Sequence, residues 1–154
     1  MPMVRNQRPQ RGGSAAEWHD YVAAITLRPG CGVFSPAASV AMRQHGDLVG
    51  VALVTSIGRT TAHLAQLALD PSVRGRGISW TLLDRARANA DRVLGASRLS
   101  LLVSEANRAA LAIYSRQGFR AAGEFIAAHR PAAGDQPLRF INTAPATGGD
   151  SARL

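Results

Sequence analysis

The sequence predicts an α/β protein built on a mixed sheet, and three observations predict it. Two extended runs, Ser39 to Gln44 and Leu48 to Ser56, flank His45-Gly46-Asp47 and read as an antiparallel hairpin. A third run, Thr61 to Leu69, passes through a glycine-rich loop into an apolar-striped helix and then a further strand, Ser97 to Val103. A strand–helix–strand unit of this kind demands a parallel pair with a right-handed crossover. At 154 residues and 46% hydrophobic content, the chain is long enough for one domain with a real core. Where an antiparallel meander gives way to a parallel pair, strand ends splay and a ligand can enter.

Taken in order, residues 1–13 are polar, carry Arg5, Arg8 and Arg11, and read as a flexible basic tail. The folded domain is expected over residues 14–143. Ser14 and Glu17 form an S-x-x-E capping box, which opens a helix from Ala15 to Leu27. Trp18, Tyr21, Val22 and Ile25 share one face of that helix, and Pro29-Gly30 ends it. Residues 30–37 form a loop with a short extended piece at Val33-Phe34, and no full strand is evident there. The hairpin follows, then a turn at Ile57 to Thr60 and the third strand. Ile78, Leu82, Leu83, Ala86 and Ala90 recur at helical spacing, and that helix ends near Leu94-Gly95. Asn107 to Gln117 is a short helix closed by Gly118. Phe119 to Ala127 and Pro137 to Thr143 are the last strands, joined by a Pro/Gly-rich loop, and residues 144–154 form a second flexible tail.

No run of 18 apolar residues exists, so no helix is expected to span a membrane, and the N-terminus lacks an apolar signal core. Cys31 is the single cysteine, which excludes an internal disulfide and fits a reducing, cytoplasmic setting. No metal-ligand spacing stands out. The net charge is +8, with a pI of about 11.5. All 18 basic residues are arginines, and they are spread along the chain rather than clustered. A nucleic-acid partner would call for a basic face, so attraction for an anionic cofactor is the more economical use of the charge.

The stretch LAQLALDPSVRGRGISWTLL, from Leu64 to Leu83, is the part around which the rest is organised. Leu64, Leu67 and Leu69 suit a buried strand, and Asp70-Pro71 stops it. Gly75 and Gly77 allow positive φ or a close approach to a ligand. A glycine loop entering a helix aims free N–H groups at one spot, and the helix dipole favours an anion there. Arg74 and Arg76 add charge that can fork onto phosphate oxygens. A plain tight turn explains the same glycines, so the loop alone does not decide between the two.

The segment from Leu64 to Phe119 resembles the core of the GNAT superfamily, the acetyl-CoA-dependent N-acetyltransferases. That family carries [Q/R]-x-x-G-x-[G/A] after its fourth strand, and Arg74, Gly77 and Ser79 stand at those places, with Gly75 and Ile78 also fitting. It also commonly shows V-x-x-x-N-x-x-A-x-x-x-Y-x-x-x-G-F, matched here at Val103, Asn107, Ala110, Tyr114, Gly118 and Phe119. Two departures stand out. Ser79 replaces the usual Gly or Ala, and the region before the hairpin is short, with one good helix where the family usually has a strand and two helices. Those helices normally wall the acceptor site.

The resemblance implies direct transfer of an acetyl group from acetyl-CoA, as cosubstrate and without a metal, to a primary amine in a ternary complex. Backbone N–H groups of Gly75, Arg76, Gly77, Ile78 and Ser79 would hold the pyrophosphate, with the Arg74 side chain adding charge. Leu67, Ala68 and Leu69 would pair with the pantetheine arm and polarise the thioester. Asn107 would hydrogen-bond towards the pantetheine; a helix N-cap suits its position equally. Tyr114 would assist the departing thiolate, or be simply a core residue of a short helix. His63, 11 residues before Arg74, would serve as base through a water, at about the distance where some members keep a glutamate; a packed histidine explains it as well. Glu105 is a weaker candidate for the same task, and Cys31, His19 and His45 have no motif support. The implied partners are a small-molecule or protein amine and, through an exposed sheet edge, a second copy of the chain. The competing class is a non-catalytic acyl-CoA-binding or regulatory module of the same fold, which the short acceptor region favours and Tyr114 disfavours.

Overall fold

A computed structural model describes residues 14–27, 32–125 and 138–143. The two expected tails, Cys31 and the loop joining the last two strands lie outside them. The elements run α1 (Ala15–Leu27), β1 (Val33–Phe34), β2 (Val40–Gln44), β3 (Asp47–Ser56), β4 (Thr61–Leu69), a 3-10 turn (Pro71–Val73), α2 (Ile78–Leu94), β5 (Arg98–Ser104), α3 (Arg108–Arg116), β6 (Phe119–Phe125) and β7 (Leu138–Thr143).

Among the described residues, seven strands form one mixed sheet in the order β1-β3-β4-β5-β7-β6, with β2 also paired to β3. The hairpin forms as expected but with a tighter turn, because Asp47, expected in the turn, pairs with Gln44 in β3. The remaining two turn residues, His45 at φ 53° and Gly46 at φ 95°, take the positive values that match a turn to the twist of its strands. The short piece at Val33-Phe34 proves to be a paired strand: it lies antiparallel to the end of β3, with Val33 opposite Ser56. Two residues carry too little pattern to be read as a strand, so it is tertiary pairing that defines it.

The parallel pair is β4 with β5, and it is brief. It runs from Thr61 opposite Arg98 to Leu64 opposite Leu101. Beyond that point β4 stays with β3 as far as Leu69, while β5 turns to β7, which is inserted antiparallel between β5 and β6. The β3–β4 ladder shifts register between Leu53 and Val54, so Ala65 is an extra residue, a β-bulge at the parting of β4 and β5.

Alternation along the strands then gives the sheet two unlike faces. One carries Ala52, Val54, Ala62, Leu64, Leu67, Leu69, Leu99, Leu101 and Val103, and packs with Leu82, Leu83, Ala86 and Ala90 of α2 into the main core. Each buried leucine there contributes about 1.5–3 kcal/mol of hydrophobic stabilisation. The approach of α2 is close: a Cβ on Gly50 would stand 2.8 Å from Leu82 Cδ1. Gly95, at φ 62°, stops α2, with its N–H on the Asp91 carbonyl and that of Ala96 on the Ala90 carbonyl. The other face carries Thr55, His63, Gln66 and Ser100, all buried. Helix α1 belongs to this face. Its capping box is formed, with Ser14 N–H on Glu17 Oε2 at 2.7 Å and Glu17 N–H on Ser14 Oγ at 3.2 Å. Ala24 and Ile25 are its buried residues, whereas Val22 of the expected stripe is 37% exposed. The Tyr21 hydroxyl donates to the Ala65 carbonyl at 3.3 Å, tying α1 to the bulge.

Candidate active site

The site grows from the parting of β4 and β5. Asp70 N–H bonds the Val49 carbonyl at 2.9 Å, so at Asp70 the backbone of β4 faces β3. Two-residue alternation turns the N–H and C=O of Ala68 and Gln66 the same way, and those of Leu67 and Leu69 away from β3, towards the side β5 has left. A peptide-like arm laid there could therefore pair with Leu67 and Leu69, while Ala68 between them is anchored to β3.

The loop at the end of β4 comes next. Asp70 Oδ1 accepts the Ser72 N–H at 2.8 Å and its hydroxyl as well, which holds the Asp70 carboxyl below the usual carboxylate range. Gly75 and Gly77 take φ 75° and 74°, as their residue type suggested, and a Cβ on either would meet open space. Gly77 is the N-cap of α2 and has no side chain to bond the first turn, which carries no acidic residue. The opening N–H groups of a 17-residue helix therefore converge beside exposed Arg74 and Arg76. Such an end suits a phosphate. Ser79 is half-buried in that first turn.

On the α1 side, parallel register sets His63 beside Ser100. His63 is 8% exposed, and its Nδ1 lies 2.9 Å from Ser100 Oγ, which itself donates to the Ala62 carbonyl at 3.3 Å. In one neutral tautomer Nδ1 donates to Ser100 Oγ, and in the other it accepts the serine proton. Burial pushes the imidazole below its ordinary value of 6.5, favouring the neutral ring.

On the α2 side, Asn107 Oδ1 accepts the Ala110 N–H at 3.2 Å, so Asn107 is the N-cap of α3. Tyr114 is 8% exposed within the main core, its ring 5.5 Å from that of Phe119. The parting thus lies between a face bearing His63 and a face bearing Tyr114. Glu105 sits in the turn after β5, His19 is exposed at 82% of its side chain, and His45 is spent on the hairpin turn. A surface hollow of about 320 Å³ lies between the hairpin and the start of that loop, over Gln44, Asp47, Leu48, Asp70 and Ser72. Two residues of this region had no signal in the sequence: Ser100, which meets His63 only through parallel pairing, and Tyr21, whose partner is a carbonyl 44 positions away. Among the described residues, no group of three or more His, Cys, Asp or Glu could hold a metal ion, and no helix is long and apolar enough to cross a membrane.

The family model for the acetyltransferase (GNAT) family matches residues 6–119. No curated protein sequence matches the chain. Among solved structures, the ribosomal-protein-S18-alanine N-acetyltransferase from Escherichia coli superposes with a TM-score of 0.66 at 19% identity, over 88% of this chain and 81% of that one. Nourseothricin acetyltransferase gives 0.62 at 27% identity, over 73% and 67%. A GNAT family acetyltransferase from Elizabethkingia anophelis with acetyl-CoA bound gives 0.61 at 13% identity, over 68% and 74%.

Proposed function

Because the chain belongs to the GNAT acetyltransferase family, we propose that it transfers an acetyl group from acetyl-CoA to a primary amine by direct attack in a ternary complex. The observation that carries this reading is the parting of β4 from β5 directly ahead of a helix N-terminus with no side-chain cap. The residues present fit the cosubstrate. The N–H groups from Gly75 to Ser79 receive the pyrophosphate, and Arg74 and Arg76 balance its charge. Leu67 and Leu69 offer backbone groups to the pantetheine, with Ala68 fixing their spacing from β3. Asn107 caps α3 through Oδ1, which leaves its NH2 end for the pantetheine. The bound thioester supplies the acetyl group.

The acceptor must shed a proton, since an alkylammonium with a pKa near 10.4 has no lone pair to attack with. His63 accepts that proton through a water, and the contact of its Nδ1 with Ser100 Oγ at 2.9 Å fixes the orientation of the ring. As the C–N bond forms and the C–S bond breaks, Tyr114 gives its hydroxyl proton to the departing sulfur, and the second proton lost by the nitrogen restores the phenol. Alignment of the amine against the thioester supplies about 7–11 kcal/mol at best for well-oriented reactants, more than a single proton transfer would.

Calorimetric titration with acetyl-CoA, followed by turnover against a panel of amines, tests the reading. Binding with turnover supports it. Binding without turnover on any amine identifies a non-catalytic acyl-CoA module instead, and absence of binding rejects both.

A further inference from the structure

We propose that the amine acceptor is a compact amine bearing an aromatic or apolar group, held against Trp18, Tyr21 and Leu102, and not a polycation. This rests on the acetyltransferase reading and specifies its acceptor. Three observations lead to it. The Tyr21 hydroxyl is bonded to the carbonyl of Ala65, the bulge residue at which β4 and β5 part, so it stands at the parting, two residues before Leu67. Trp18 lies one turn earlier on the same face of α1, edge-on to Tyr21 with ring centroids 5.9 Å apart, and both rings are half-buried. Leu102 is one step past the last parallel pair, across the parting from Ala65, and is 40% exposed although it lies in the interior of the sheet. An exposed leucine beside parted strands is apolar surface that a ligand can cover.

Charge completes the argument. A polyamine needs carboxylates that survive burial beside it. On this face the buried polar groups among the described residues are Thr55, His63, Gln66 and Ser100, which include no carboxylate. Of the two acidic residues of α1, Glu17 serves the capping box and Asp20 is exposed at 87% of its side chain. Glu105, half-buried in the turn after β5, is a single carboxylate, where a polyamine presents several charges. The net charge of +8 also repels a polycation during approach. A flat apolar group meets none of these obstacles, and an edge-on ring pair offers it a matching surface.

The test compares 2-phenylethylamine, propylamine and spermidine as acceptors with acetyl-CoA and the full chain. The wild type should favour 2-phenylethylamine over each of the others by about tenfold or more in kcat/KM. Trp18→Ala should remove most of that preference, lowering kcat/KM for 2-phenylethylamine about tenfold and for propylamine less than twofold, with acetyl-CoA affinity unchanged. Should Trp18→Ala fail to fold, Leu102→Glu gives the second reading, at a position already open to solvent: the phenyl substrate weakens and spermidine improves. Spermidine as the best wild-type acceptor, or equal losses for 2-phenylethylamine and propylamine in Trp18→Ala, overturns the proposal while leaving the acetyltransferase reading intact. If no amine is acetylated at all, that reading fails instead. The acceptor site is then judged by calorimetry of the CoA-loaded protein, where 2-phenylethylamine should bind and spermidine should not; the reverse order, or binding of neither, rejects the proposal.

Discussion

On the proposed reading the parted strands have a donor side and an acceptor side, and the two are made by different means. On the donor side, a contiguous stretch from Leu64 to Leu83 supplies the strand end, the positive-φ glycines, the arginines and the helix N-terminus. Its chemistry is mostly backbone. On the acceptor side, Tyr21, His63, Ser100 and Leu102 come from three elements up to 81 positions apart in sequence, and side chains do the work. The difference teaches that a backbone site tolerates nearly any side chain that keeps its φ and ψ, whereas a side-chain site can be reassigned to a new acceptor by one substitution. The donor side should therefore respond to changes of conformation and charge, the acceptor side to changes of shape and protonation.

The largest expected effect lies between the two sides. Tyr114→Phe keeps the ring against Phe119 and removes only the hydroxyl. Single-turnover rates should fall roughly 10²–10⁴-fold, the usual worth of a positioned acid, with acetyl-CoA affinity nearly unchanged. A wild-type single-turnover rate would make Tyr114 a core residue and nothing more.

Next is Gly77→Asp. The Cβ itself meets open space, so the fold should survive, but φ 74° disfavours the new residue and its carboxylate faces the proposed pyrophosphate. CoA affinity should drop on the order of 100-fold in calorimetry. An unchanged affinity removes the loop from cofactor binding and erases the contrast between the sides.

Arg74→Ala should be milder, weakening CoA roughly tenfold while leaving pantetheine fragments without phosphates unaffected. Equal losses for both ligands would show that Arg74 supports the fold.

The smallest effect is on stability, and it tests the acceptor side. Burial depresses the folded pKa of His63 below the 6.5 of an unfolded chain. Between those two values the unfolded state binds more protons, so the stability present above pH 6.5 is lost as pH falls through that window, and below it no further change arises from this group. Melting curves from pH 7.5 downward should show the decline, and His63→Gln should flatten it. Under the proposed function, the acid limb of log kcat/KM should likewise turn below pH 6.5 and disappear in the same variant.

How much was legible in the sequence follows the same division. The hairpin, β4, α2 and α3 could be read because their signals are local: a tight turn around Gly46, an apolar stripe ended by Gly95, an Asn cap at Asn107. Gly75 and Gly77 announced their positive φ in the same way. The strand β1 was barely visible, since two residues have no periodicity and its existence depends on Ser56 and Thr55 across the ladder. The bulge at Ala65 left no mark, being a mismatch between two strands rather than a property of either. The His63–Ser100 contact required knowing which strands run parallel and in which register, and the insertion of β7 between β5 and β6 required the whole sheet. Asn107 shows the limit from the other side: its cap was foreseeable, and a cap and a ligand contact draw on different atoms of one amide.

The N-terminus of α2 has no side-chain cap of its own, and that has a consequence for control. On the proposed reading, what this end grips is a diphosphate, which is identical in the donor before reaction and in the CoA left afterwards. Affinity gained there is shared by both species and does nothing to lower the barrier itself. Spent CoA then competes for the protein on nearly equal terms, so flux is governed by the acetylated fraction of the CoA pool more than by its total size.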